Sequence, residues 1–282
     1  MRNLREYYRP KTGEEAFGLK QQMNGRGAYL GGGTDLMVHR PQDIEAVIDL
    51  RHADIGQCEV VDGAYVVGGG VSLRQAEEFL APVAGGMLRE AVRETAPWLI
   101  RNAATLAGNV ANASPAADSV PALAVLDAEL MLLGTEKESV PLLSILSGPH
   151  RTTLGNRLIH GIRIPVDAVG RRGVFTKLSR SKSDIAQVNV AVAANVSGDR
   201  LNNVRIALGA VAPTVIRATR AEAIMEGQRL DPETLKAAVD TTREEVRPIT
   251  DWRASADYRR HVSGVLVRRA LERLVASTEE AA

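Results

Sequence analysis

Two stretches of this chain are nearly bare of side chains, and any fold it adopts must bring main chain close to something at both. The first is Tyr29-Leu30-Gly31-Gly32-Gly33-Thr34-Asp35-Leu36. Three successive glycines permit dihedrals closed to other residues and let backbone approach a neighbour very closely. Their successive N–H groups can form a nest suited to phosphate, with the Thr34 hydroxyl as a further donor. Taken alone, the run also reads as a tight turn between core elements. The second stretch extends from Arg101 to Asp118 and is dense in alanine, glycine, asparagine and serine. Such small residues leave room for a non-protein group to lie against the backbone. Thr105, Asn109 and Ser114 can donate hydrogen bonds there. Asp118 can accept one from a ribose or ring N–H, or it and Ser119 can cap a following helix.

Neither stretch fits the commoner nucleotide motifs. No Gly-x-x-x-x-Gly-Lys-[Ser/Thr] occurs, which excludes a P-loop. Gly68-x-Gly70 would need a third glycine at Leu73 to make the dinucleotide fingerprint. The five histidines (His39, His52, His150, His160, His261) are scattered without helical metal spacing, so no metal is expected. His150 reads as a surface residue. The single cysteine, Cys58, excludes an intrachain disulfide and a self-contained iron–sulfur cluster. Cys58 itself reads as a small packed hydrophobe. With 35 basic and 34 acidic residues, no net field draws the chain to nucleic acid. The absence of a long apolar run, and of an apolar segment in the first residues, leads to the expectation of a cytoplasmic protein with neither membrane span nor secretory signal.

Residues 46–51 and 64–68 read as short strands bounded by turn residues. Ser72 and Gln75 form a capping-box pattern that should start a helix. Further helices are expected at 86–96 and 119–128, the latter with Pro121 in its first turn, and a strand at 129–133. Past Pro165 the pattern changes. Val188, Val190, Val192, Ala194 and Val196 alternate strictly, which predicts a strand with one buried face. Gly198-Asp199 supplies a turn, and Val204, Ile206 and Leu208 complete a hairpin. Helices are expected at 218–226, 232–246 and 256–276, the last with Val262, Leu266, Ala270 and Leu274 on one stripe. Trp98 and Trp252 read as packing anchors. Breaks near 52–62 and 165–172 divide the chain into 1–56, 57–168 and 169–282.

With these residues in view, the chain resembles the FAD-binding (medium) subunits of the xanthine dehydrogenase and carbon monoxide dehydrogenase family. Gly31 to Leu36 is similar to that family's A-G-G-T-D-L loop, and Thr105-Leu106-Ala107-Gly108-Asn109 to its T-[I/L]-G-G-N loop. Ala113-Ser114-Pro115 and Asp118 continue the second loop. Leu158 to Pro165, Lys177 through Arg180 to Ala186, Ala207 to Thr214 and Asp251 to Ser255 agree in order. The resemblance implies an α+β fold: a two-subdomain FAD-binding fold of the PCMH type, then a C-terminal domain with an antiparallel sheet packed on helices. It implies FAD as cofactor, with Tyr29, Leu30, Gly31, Gly32, Gly33, Thr34, Asp35 and Leu36 wrapping its pyrophosphate together with Ala104, Thr105, Gly108 and Asn109. Ala117 and Asp118 would join the site, Asp118 at the ribose or adenine side, and Ile159 and Lys177 would lie near the isoalloxazine ring. A cation beside the flavin stabilises its anionic reduced form; Lys177 is otherwise an exposed strand lysine. Two departures stand out. Ala107 replaces a glycine, adding a methyl near the phosphate, and Arg157 stands where the family often has Glu.

The resemblance further implies an electron-transfer role in a heteromeric molybdenum hydroxylase. A large molybdopterin subunit would oxidise substrate, a small [2Fe–2S] subunit would pass electrons to the flavin, and NAD, dioxygen or a quinone would take them. No catalytic acid, base or nucleophile is expected, because the ring carries the redox chemistry. A second reading makes the chain a stand-alone FAD oxidoreductase of the same fold. A third takes Arg259, Arg260, Arg268, Arg269 and Arg273 as a basic helix face that docks an acidic partner or nucleic acid, against a plain solvated face interleaved with Glu272 and Asp257.

Overall fold

The computed structural model describes residues 3–198 and 200–276. Asp199, half of the expected turn, lies outside the described residues, as do Met1 and Arg2 and positions 277–282. The chain is α+β. Its first sheet is small and parallel, with β1 (Glu6–Tyr8) and β2 (Gly27–Leu30) flanking β3 (Ala46–Asp49). Helix α1 (Gly13–Gln22) joins the two outer strands, which run parallel on either side of β3, and it is capped where the Thr12 hydroxyl accepts from the Glu15 N–H. Ile48, Leu50, Ile55 and Ala16 bury a compact core beneath this layer.

The second sheet is antiparallel and has the order β4-β5-β10-β6-β7. It contains β4 (Cys58–Val61), β5 (Ala64–Gly68), β6 (Glu129–Leu133) and β7 (Lys137–Pro141). A two-stranded ribbon, β8 (Leu146–Gly148) with β9 (Arg151–Thr152), then leads to the central strand β10 (Leu158–Ile164). The helices between β5 and β6 cover one face. They are α3 (Leu73–Phe79), α4 (Met87–Glu94), α5 (Trp98–Ala103), α6 (Leu106–Ala111) and α7 (Ser119–Ala124), while the short α2 (Leu36–His39) lies earlier, between β2 and β3. The capping box expected at Ser72 and Gln75 is present at the start of α3. The helix expected to reach residue 128 stops at Ala124, because Asp127 adopts a left-handed φ of 50° that no helix continues through.

After α8 (Val166–Val169), the third sheet runs β11 (Arg172–Leu178), β12 (Val188–Ser197), β13 (Arg200–Gly209) and β14 (Ile216–Arg217), all antiparallel. Helices α9 (Thr219–Met225), α10 (Pro232–Glu245) and α11 (Ala256–Ala276) pack on it. One expectation fails here. The alternation along β12 does not mark one buried face and one wet face; residues 188–194 are buried on both. Val190 and Val192 meet the C-terminal helices. Ala191 and Ala193, with Ala207 and Phe175, join the core of the N-terminal part. The period-two signal recorded side-chain size, large toward the helices and small toward α7, because the sheet is the middle layer of a sandwich.

Three further expectations are corrected. Trp98 and Trp252 are surface residues, 56% and 74% exposed, and Trp252 lies beside the guanidinium groups of Arg180 and Arg253. Arg259 belongs to no solvated stripe; it is 2% exposed. Its Nη1 donates to the carbonyls of Gln187 (3.0 Å) and Ala210 (2.9 Å), and its Nη2 to Asp251 (2.7 Å). The other arginines of α11 do lie outward, with Arg260 paired to Asp257 and Arg268 to Glu272.

Candidate functional site

The two bare stretches meet. Gly32 packs directly on the backbone ahead of α6: a Cβ placed there would lie 1.9 Å from the Ala103 carbonyl oxygen and 2.7 Å from the Ala104 Cα. A Cβ on Gly31 would stand 2.8 Å from the Thr105 hydroxyl, and one on Gly108 would stand 2.7 Å from it. Only Gly33 needs glycine for its own conformation, at φ +71°. The glycines therefore serve loop-on-loop contact first. Close approach of backbone is what the glycine run predicts, but the neighbour at Gly32 is protein.

Between the joined loops and the start of β10 lies a cavity of about 400 Å³. Tyr29, Gly31, Gly32, Gly33, Thr34, Asp35 and Leu36 line it from one side. Ala104, Thr105, Gly108 and Asn109 line it from the other, and Ile159 from β10. Backbone N–H groups of Gly32, Gly33, Thr34 and Asp35 find no acceptor within the described protein. Four adjacent free donors are the physical content of an anion nest. Thr105 caps α6, its hydroxyl accepting from the Gly108 N–H at 3.0 Å. Asn109 accepts from the Ser119 hydroxyl at 2.7 Å through its side-chain oxygen, which leaves its amide hydrogens free.

Four of the anticipated residues do not line the cavity: Leu30, Ala117, Asp118 and Lys177. Asp118 occupies the N-cap position of α7 without making a cap bond. Instead it is 3% exposed and accepts from Lys177 Nζ at 2.7 Å and Asn189 Nδ2 at 2.6 Å. Lys177 also donates to the Glu94 carbonyl at 2.9 Å, so it is no exposed strand lysine. Burial pushes the Asp118 carboxyl up to about 6, against the pull of Lys177 and Asn189. This cluster fastens the third sheet to the end of the second bare stretch, one residue from the Ser119–Asn109 contact at the cavity wall.

The sequence reading missed Gly69, Leu154 and Asn112 in the lining. Gly69 has a signal in the sequence, the Gly68-Gly69-Gly70 run, which fails the dinucleotide fingerprint yet still marks close backbone approach. A Cβ on Gly69 would lie 2.1 Å from the Ile159 carbonyl oxygen, so this glycine lets β5 close on β10 beside the cavity. Asn112 belongs to the second bare stretch and shares its signal, whereas Leu154 carries none, since only folding brings it in.

Residues 2–167 match the model for the FAD binding domain in molybdopterin dehydrogenase, and residues 173–274 match the CO dehydrogenase flavoprotein C-terminal domain. The chain belongs to this family of FAD-binding proteins. It is 31% identical to the carbon monoxide dehydrogenase medium chain of Hydrogenophaga pseudoflava, over 94% of this chain and 95% of that one. It is 27% identical to the xanthine dehydrogenase FAD-binding subunit of Escherichia coli O157:H7, over 98% of each. A solved carbon monoxide dehydrogenase from Hydrogenophaga pseudoflava superposes with a TM-score of 0.92 at 29% identity, covering 97% of this chain and 98% of that one.

The cavity of this FAD-binding chain suits its cofactor: a nest for diphosphate, then apolar walls at Leu36, Leu50, Leu154 and Ile159 for a flat ring. Its two departures from the family are accommodated. Ala107 is 5% exposed and its methyl is taken up by the hydrophobic core beneath the loop. Arg157 lines the cavity while bonded to Glu138 and to the carbonyls of Leu154 (3.1 Å) and Thr153 (2.6 Å). His150 is exposed, with Nδ1 3.1 Å from the Asn112 carbonyl oxygen. Among the described residues no cluster fit for a metal occurs, and no helix is long and apolar enough to cross a membrane.

Proposed function

We propose that this chain is the electron-transferring flavin subunit of a heteromeric molybdenum hydroxylase. It takes electrons from the [2Fe–2S] clusters of a small partner subunit, supplied in turn by a large molybdopterin subunit, and hands them to NAD, dioxygen or a quinone. The cavity carries this reading: four free backbone donors at its glycine edge bind diphosphate, and apolar side chains receive the ring. Bound FAD supplies one- and two-electron redox chemistry. The protein's part is to bind and orient it and to exclude water around it. The single cysteine supports a separate electron donor, because a cluster requires several thiolates.

In this reading Tyr29 to Leu36, Ala104, Thr105, Gly108, Asn109 and Ile159 touch the cofactor. Leu30, Ala117, Asp118 and Lys177 belong to the site through the elements they brace, with 1–56, 57–168 and 169–282 as its three structural units. Purification of the chain with its co-expressed partners tests the proposal. A yellow complex whose flavin is bleached by the partner's substrate, and whose cluster signals precede that bleaching, is the expected result. A lone chain that oxidises a small substrate with no partner would support the stand-alone oxidoreductase instead, and a colourless chain that ignores added FAD would refute both.

A further inference from the structure

The cavity must hold a diphosphate, and its side chains bring very little positive charge to the task. Among the described residues that line it, those able to ionise are Tyr29, Asp35, His39 and Arg157. Burial raises the Tyr29 hydroxyl well above its usual range, and that hydroxyl donates to the Asn156 carbonyl at 2.9 Å. Asp35 has the wrong sign. The Arg157 guanidinium is bonded to Glu138 and to the carbonyls of Leu154 and Thr153, so its charge is already matched within the protein. The nest offers only the partial charges of its N–H groups. His39 is left. Its ring stands on the cavity rim, with the side chain 65% exposed and Nε2 4.0 Å from Asp35 Oδ1. Its backbone N–H donates to the Asp35 carbonyl at 2.9 Å, which sets the imidazole one turn beyond the last donor of the nest.

We propose that His39 is a cofactor-binding residue that takes up a proton as FAD binds, so that an imidazolium faces the diphosphate beside the nest. The inference rests on the cavity being the FAD site. A solvated imidazole changes charge within the physiological range. An opposite charge within about 4–6 Å favours the charged form, and a diphosphate arriving at the rim is such a charge. By linkage, a ligand that tightens the hold on a proton is itself held more tightly, by the same factor, when that proton is present. The sign follows. FAD affinity is greatest where the free chain already carries the proton, and it falls as pH rises through the imidazole range of the FAD-bound chain. A rise of one pKa unit on binding corresponds to about a tenfold change in affinity. The groups around His39 leave this coupling intact. Asp35 favours the imidazolium with or without FAD. His150, in the β8–β9 turn, has its ring centre 6.3 Å away and lines no part of the cavity; its Nδ1 lies 3.1 Å from the carbonyl oxygen of Asn112, a neutral residue at the end of α6.

The test uses the full-length chain freed of flavin and titrated with FAD from about pH 5.5 to about pH 8.5, with binding read from flavin fluorescence. Calorimetry in two buffers of different ionisation heat counts the protons taken up. The wild type should bind about tenfold more weakly at the top of this range than at the bottom, with net proton uptake near neutral pH. His39→Gln should bind weakly throughout and lose that tenfold slope. His39→Lys, which fixes a charge at the rim, should bind tightly throughout. His150→Gln, altered outside the cavity, should keep the wild-type profile. Asp118, whose carboxyl is raised to about 6, is present in every variant, so any slope it adds is common to all of them and cancels in the comparison. A His39→Gln chain with the wild-type profile overturns the proposal, as does a His39→Lys chain that binds no better than His39→Gln. A chain that takes up no FAD at any pH overturns the reading of the cavity as well.

Discussion

Replacing Gly32 with alanine adds one methyl where two backbones already touch, and the structure sets its cost. The new Cβ would lie 1.9 Å from the Ala103 oxygen, 2.4 Å from its carbonyl carbon and 2.7 Å from the Ala104 Cα. None of these atoms belongs to a side chain that can swing aside. Non-bonded carbon contacts settle near ~3.5 Å, so the loops must part by more than an ångström. Overpacking of this kind costs about 1–3 kcal/mol. Relief also strains the Leu73 N–H to Ala104 oxygen bond (2.7 Å) and the Ala104 N–H to Ile100 oxygen bond (2.8 Å). Each is worth about 1 kcal/mol. A total near 3 kcal/mol lowers the thermal midpoint by roughly 6–12 °C for a domain of this size. Because the parted loops are the two walls of the cavity, FAD affinity should fall on the order of 30-fold, the equivalent of about 2 kcal/mol. Gly18→Ala supplies the contrast, since that glycine sits within α1 with no neighbour within 4 Å; it should gain about 0.5–1 kcal/mol. Differential scanning fluorimetry and flavin-fluorescence titration of both variants measure these effects. A Gly32→Ala protein with wild-type midpoint and wild-type FAD affinity would show that the loops do not meet as described.

Asp118→Asn should remove a pH dependence. In the folded chain this carboxyl holds its proton to about pH 6, against an ordinary 3.8. Its contribution to stability is therefore full below pH ~4 and is lost as pH rises through about 6, a change of roughly 3 kcal/mol. Urea unfolding from pH 4.5 to 7.5 should show the wild type losing ground to the variant as pH rises, and parallel curves would refute the assignment. Arg259→Met should destabilise the chain by about 3–5 kcal/mol, because Asp251 and two carbonyls lose a buried guanidinium. Burial opposes its charge, yet the hydrogen bonds of Arg253 and the nearby Arg259 hold the Asp251 carboxyl well below the usual range. Denaturant midpoints decide this one: a loss under 1 kcal/mol would mean that Arg259 is dispensable.

Local signals in the chain were sufficient wherever a residue's neighbours lie near it in sequence. The capping box at Ser72, the strand at 129–133 and the β12–β13 hairpin arise from short-range periodicity and turn chemistry, and each is found within a residue or two of its expected place. The glycine and alanine stretches likewise announced that backbone would be approached, because lack of a Cβ has few other uses at that density.

What approaches it was beyond local reading. Gly32 meets Ala103, more than seventy residues away, and Asp118 meets Lys177 and Asn189 across the junction with the third sheet. Burial on both faces of β12, and the inward turn of Arg101 and Arg259, depend on layers contributed by distant segments. Composition and spacing determine which elements form, since those energies are local. Which polar groups lose their water, and which apolar ones keep facing it, is set only when the elements pack, because desolvation depends on every neighbour in three dimensions.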